Sequence, residues 1–331
     1  MQEADRTACP GPSIVGDGQA ETEIPMIREA APTMRPIDWV LLVVLSGLWG
    51  GSFFFAAVAL EDLPPFTVVV GRAGIAALTL LIVLRATGIA VPRDPKLWAA
   101  FGVAGILNNV VPFSLICWAQ TQIPSGLASI LNAATPLFAV ILCHWLTRDE
   151  KLTSNKLIGV AVGIGGVATM VGLESLGGLD ANVLAEFACL TAALSYALAG
   201  IFGRTLKGVP FLLVAFGQAT ATAVMLTPVA LIVDRPWTLS MPGAEVWGAV
   251  IALGVLCTTV GHSLYFRILS TAGATNVLLV TLLVPVSAIW LGWSILDERL
   301  GWHQFVGMAI IGAGLIVIDG RIVRRLFASR P

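Results

Sequence analysis

From Ile37 onward the chain is a succession of long apolar blocks separated by short polar connections, with neither the two-residue nor the 3.6-residue alternation of elements half exposed to water. Each block holds about 20 residues, the length that carries a helix across a hydrocarbon core of roughly 30 Å. The blocks cover 37–59, 66–86, 97–118, 124–146, 155–173, 182–203, 211–233, 246–267, 273–296 and 302–320. Proline and glycine inside them do not argue against helices, because neighbouring helices in a bilayer satisfy the backbone groups they free. The pattern predicts an all-α integral membrane protein with ten transmembrane helices.

The pattern also repeats. "TPLFAVILCHWLTRDEKL" ends at Leu152, and "VPVSAIWLGWSILDERL" ends at Leu300. Shifting the first half of the chain by 146 to 149 positions places Gly71 on Gly217, Arg72 on Gln218, Pro136 on Pro285 and "DEKL" on "DERL". The predicted organisation is therefore a duplicated five-helix unit, 37–173 followed by 182–320. An odd number of helices per copy forces the copies to cross the membrane in opposite senses, the inverted-repeat plan of many secondary transporters.

Composition agrees: 57% of residues are apolar, 12% are charged and the mean hydropathy is +0.88, far from the balance of a water-soluble domain. Lys plus Arg (19) nearly equals Asp plus Glu (20), so no charge excess points to nucleic acid. Residues 1–36 are polar, contain five prolines and have no apolar core of signal-peptide length, so they read as a disordered tail, with Met26 and Met34 as alternative starts. Residues 321–331 form a basic tail. Cys117, Cys143, Cys189 and Cys257 lie in apolar stretches without metal spacing and read as reduced packing residues.

Basic residues set the orientation. Sixteen lysines and arginines fall at one side of the ten spans, from Arg6 through Arg93, Lys156 and Lys207 to Arg330, while only Arg235 and Arg299 fall at the other. Both termini are expected in the cytoplasm, and the protein is expected in the inner (plasma) membrane. The remaining basic residue, Arg72, lies inside the second span.

The stretches "LSGLWGGSFFFAAVAL", "PPFTVVVGRAGIAAL", "SGLASILNAATPLFAVIL" and "LIGVAVGIGGVATMVG", in that order and partly repeated, resemble the ten-helix EamA-type branch of the drug/metabolite transporter superfamily. The resemblance spans roughly 37 to 320. It implies a small-molecule carrier, most often an exporter of amino acids or related metabolites, and no particular solute.

Candidate chemistry is sparse. A charge in a membrane helix costs about 2.5 to 3.5 kcal/mol on insertion scales. Arg72 therefore reads either as an anchor for a carboxylate or as a side chain snorkelling to water; its repeat partner Gln218 is neutral. Pro136 and Pro285 lie within the fourth and ninth spans and free the carbonyls of Asn132 and Thr281, which either meet substrate near the midplane or are satisfied locally. His262 reads as a proton relay or a neutral packing group. Trp49, Tyr196 and Tyr265 are the aromatic candidates for a cavity lining. Gly159, Gly163 and Gly166, with Gly307 and Gly314 in the second copy, suit close helix approach. The carboxylates, Glu186 among them, fall in the tail, the loops or the helix ends. The small multidrug-resistance proteins, which the chain resembles in plan, carry a glutamate in their first helix that is missing here, and this weakens the case for export of lipophilic cations.

A cavity with an unpaired arginine and no acidic counterpart suits a carboxylate or zwitterion better than a cation. The expected function is thus secondary transport of a small metabolite, an amino acid or related zwitterion, by alternating access and in the export direction. Uptake of a vitamin or nucleobase-like compound, and drug efflux, are the alternatives within the class. A membrane-embedded enzyme or receptor is the rival outside it, although no HExxH, GxSxG or metal constellation is present and no cofactor is called for. The expected partners are the metabolite, the lipid bilayer and a proton or other coupling ion, in a monomer or homodimer.

Overall fold

A computed structural model of the chain describes residues 34–147, 153–171, 180–277 and 279–319. The tails assigned to 1–36 and 321–331, apart from 34–36, and the "DEKL" segment lie outside these residues. Among them the fold is all helical, with α1 Pro36–Ala59, α2 Pro65–Ala86, α3 Pro95–Gln120, α4 Ser125–Leu146, α5 Ser154–Val171, α6 Ala181–Phe202, α7 Phe211–Val233, α8 Ala244–Ala272, α9 Leu279–Ile295 and α10 Trp302–Asp319. Eight are long and apolar enough to cross a membrane, and α9 and α10 are shorter apolar helices. Pro36, Pro65 and Pro95 open their helices where the missing N–H costs nothing. Asp94 and Asp180 cap α3 and α6 by accepting from the amides of Lys96 and Val183.

The helix pairings reveal the symmetry. α1 packs on α8 and α9, and α6 packs on α3 and α4; α2 packs on α8, and α7 packs on α3. The pairs α2–α7, α4–α9 and α5–α10 join equivalent helices. Replacing every helix in these pairs by its counterpart five places along returns the same pairs, in keeping with an inverted duplication.

Close contacts repeat too. A Cβ on Gly71 would lie 2.8 Å from Val250, and one on Gly217 would strike the ring of Phe101. A Cβ on Gly254 would lie 3.0 Å from the Arg72 carbonyl, and one on Gly105 would lie 3.1 Å from that of Gln218. Between α5 and α10, Cβ atoms on Gly159 and Gly166 would meet the backbone oxygens of Gly314 and Gly307 at 2.6 and 2.8 Å. The glycines thus admit helix backbones to contact where lipid offers no hydrophobic drive for association.

Outward positions are apolar: Val40, Val43, Leu78, Ile82, Val224, Ile232, Trp145 and Trp290 are exposed large side chains, as a lipid-facing surface demands. Trp39, Trp237, Trp247 and Trp302 are exposed near the ends of spans, where indole rings suit the headgroup region. The four described cysteines are buried.

Three helices depart from the expected continuous rods. α4 is broken into Ser125–Asn132 and Thr135–Leu146, and Pro136 stands in the first turn of the second segment instead of kinking an unbroken helix. Pro285, in contrast, lies inside α9. α3 and α8 each widen to a π-helix, at Ile106–Val110 and Leu253–Val260, which are equivalent places in the two copies. Pro112 follows the first and would collide with a regular turn. In the second, the hydroxyls of Thr258 and Thr259 donate to the carbonyls of Leu253 and Gly254, five residues back. Such π-turns concentrate at functional sites.

Candidate functional site

Arg72 projects from α2 toward the π-turn of α8. Its Nε donates to Thr258 Oγ1 at 3.0 Å, an Nη donates to Ser52 Oγ on α1 at 3.0 Å, and its Cζ lies 3.7 Å from the centre of the Phe113 ring on α3. Four helices therefore converge on one guanidinium. The ring and two hydroxyls relieve part of its desolvation, but no carboxylate meets it among the described residues. A guanidinium carries five N–H donors, and the hydroxyls engage only two of them.

Thr258 organises the surroundings. Its hydroxyl accepts from Arg72 while donating to the Leu253 carbonyl, and its own carbonyl lies 2.7 Å from His262 Nδ1. A carbonyl only accepts, so Nδ1 carries the proton and Nε2 is left as the basic nitrogen. The His262 ring meets Trp49 edge-on with centroids 6.2 Å apart, and Trp49 stacks on Tyr265 at 5.4 Å. Tyr196 packs against the buried group that holds Phe113 and Cys117 and against the one bordered by Trp49 and Tyr265. Arg72, Trp49, Tyr196, His262 and Tyr265 are all half-buried. Of the residues singled out in the sequence, these five form one cluster.

The other three lie elsewhere. Gln218 accepts from Asn108 Nδ2 at 3.0 Å in the α7–α3 interface, which is equivalent to the α2–α8 interface of Arg72 and Thr258. Asn132 ends the first segment of α4 with its side-chain oxygen buried and unpartnered, while its backbone carbonyl, freed by Pro136, accepts from the Thr135 hydroxyl at 2.7 Å. A hydroxyl one turn away therefore takes the place of the missing amide. Thr281 lines a separate, mostly apolar cavity of about 190 Å³ with Ile130, Pro285 and Met308.

Sequence reasoning missed Ser52, Phe113 and Thr258. It counted Asp234 and Glu298 among the loop and helix-end carboxylates without their partners at the face where α2, α4 and α10 begin. There Glu298 accepts from the amides of Ser125 and Gly126 and from the Ser125 hydroxyl, and Asp234 accepts from the Thr67 amide and hydroxyl at 2.6 and 2.8 Å. At the opposite face Asp38 accepts from Thr271, tying the start of α1 to the end of α8.

Ten helices in two inverted five-helix copies, with a polar cluster beside a π-turn between the halves, define a membrane carrier. Residues 37–172 and 183–319 each match the model of the EamA-like transporter family, and the chain belongs to that family. It is 23% identical to the uncharacterized transporter YoaV of Bacillus subtilis (strain 168), covering 86% of this chain and 97% of that one. It is 25% identical to the uncharacterized inner membrane transporter YedA of Escherichia coli (strain K12), over 88% and 92%. A probable amino-acid metabolite efflux pump of the same organism is 27% identical over 85% and 94%. A crystal structure 20% identical in sequence superposes with a TM-score of 0.63, covering 88% of this chain and all of its own, and shares the fold.

Proposed function

We propose that the protein carries an amino acid or related zwitterion out of the cell by alternating access, with Arg72 as the anchor for the substrate carboxylate. One observation carries the reading: a guanidinium held in a half-buried cluster by neutral groups alone, with donors left over. An arginine that only snorkels needs no converging shell from three other helices, whereas a planar carboxylate fits the unused donors of its fork. Trp49 and Tyr265 offer an apolar wall, and His262 Nε2 and the Tyr196 hydroxyl are the polar groups for the rest of the solute. The similarity to a protein named as a probable amino-acid metabolite efflux pump supports the same class.

On this reading the first and second copies rock about the cluster, the π-turns of α3 and α8 take up the backbone change, and both termini face the cytoplasm of the inner membrane. Counterflow in proteoliposomes across amino acids, organic cations and vitamins tests it. A carboxylate-bearing solute exchanges with wild type and not with a folded Arg72→Gln variant. Exchange of cations or neutral vitamins alone, unchanged in Arg72→Gln, overturns the assignment.

A further inference from the structure

We infer that Glu186 is a proton-binding site through which transport is coupled to a proton gradient. The inference rests on the chain being a transporter and on no choice of solute. Glu186 lies five residues into α6, about 8 Å from its start at 1.5 Å per residue. Leu184 and Phe187 on either side are exposed apolar side chains, so this depth faces hydrocarbon, yet Glu186 itself is turned inward and is 7% exposed. Sequence reasoning placed Glu186 near a helix end, and the structure adds that it is turned inward.

Among the described residues no donor meets its buried Oε2. Among the described residues the charge acting on Glu186 is that of Asp180, of the same sign, and Asp180 already caps the helix through Val183. On its own helix the other titratable group it faces is Cys189, buried one turn further in. The helices packed on α6 are α3 and α4. Near this end α3 brings Cys117 and no basic side chain, and α4 brings no titratable group, since Cys143 and His144 belong to its far end. Gln120, at the end of α3 that reaches the same face, also has both side-chain polar atoms buried and unpartnered.

A carboxylate oxygen buried with no donor or counter-charge among the described residues is costly in a membrane protein, and a bound cation removes the cost. A metal cation needs several oxygens, and no group of three acidic, histidine or cysteine side chains that could hold a metal occurs among the described residues. A proton needs a single oxygen. The carboxylate takes up one proton to become a neutral acid in the enclosed arrangement and returns it to water when the halves re-pack.

The test uses the full chain in proteoliposomes. Infrared difference spectra between acidic and basic pH, with carbon-13-labelled glutamate, are expected to contain a buried carboxylic-acid band that Glu186→Gln lacks. A solute that exchanges in counterflow is expected to accumulate against its gradient when a pH difference is imposed on wild type. Glu186→Gln is expected to keep counterflow and lose that accumulation. Equal accumulation by both proteins, or accumulation driven by sodium and indifferent to pH, overturns the inference. Where Glu186→Gln does not fold, the wild-type spectrum decides alone, and absence of the band overturns it. If no solute in the panel exchanges, the substrate reading fails while the spectra still decide this one.

Discussion

Two adjacent glycines in α5 offer a controlled test of the helix packing. A Cβ on Gly166 would lie 2.8 Å from the Gly307 carbonyl, 2.8 Å from the Ile311 amide and 2.8 Å from Ile311 Cγ1, whereas one on Gly165 would meet nothing within 4 Å. Two of the three obstacles are backbone, so no rotamer change relieves them and α5 must move away from α10. Replacing glycine by alanine in a helix stabilises by roughly 0.5–1 kcal/mol at either site, a gain that cancels in the comparison. What remains is overpacking of a close interface, about 1–3 kcal/mol. Gly166→Ala is therefore expected to unfold at a lower temperature and at a lower denaturing-detergent fraction than Gly165→Ala, by that difference in free energy. Gly165→Ala should equal or exceed wild type. Equal stability of the two variants would refute the α5–α10 contact geometry.

Thr258→Val keeps the shape of the side chain and removes both the acceptor for Arg72 Nε and the donor to the Leu253 carbonyl. A hydrogen bond to a charged group is worth about 1.5–3 kcal/mol, so the affinity for a carboxylate solute is expected to fall roughly ten- to a hundredfold, while Thr258→Ser stays near wild type in the same binding isotherm. Glu298→Ala removes the acceptor of the Ser125 and Gly126 amides. Hydrogen exchange at those two amides is expected to quicken by about tenfold or more, with α10 amides unchanged; equal protection would mean that Glu298 does not hold α4 in solution.

Periodicity and repetition made the helix count, the duplication and the glycine seam legible, because lipid imposes long uniform spans and close contact demands small side chains at a fixed register. Arg72 was legible by its cost. The π-turns were not noticed, although Pro112 and the Thr258–Thr259 pair mark them: a proline with a carbonyl to avoid, and hydroxyls able to satisfy carbonyls a turn back. Glu186 was classed with helix ends because residue number conveys depth but not direction. Only the packing of α6 shows that its carboxylate turns inward while Leu184 and Phe187 turn out. Glu298 illustrates the same limit, since its partners at Ser125 and Gly126 are 173 and 172 residues away.

The two copies keep their backbone contacts and exchange their chemistry. The Gly254–Arg72 and Gly105–Gln218 approaches differ by 0.1 Å in closeness, yet one interface pairs a guanidinium with a threonine and the other pairs two amides. A backbone symmetric in this way allows each copy to adopt the other's conformation at little cost, which alternating access requires. Symmetric chemistry would place a second arginine opposite the first, and two unpaired guanidiniums in one low-dielectric centre would repel. Confining the charge to α2 leaves a cluster whose sign does not change when the halves exchange conformations. On the proposed reading, a carboxylate then meets the same anchor from either side of the membrane, and direction is set by gradients instead of by the site.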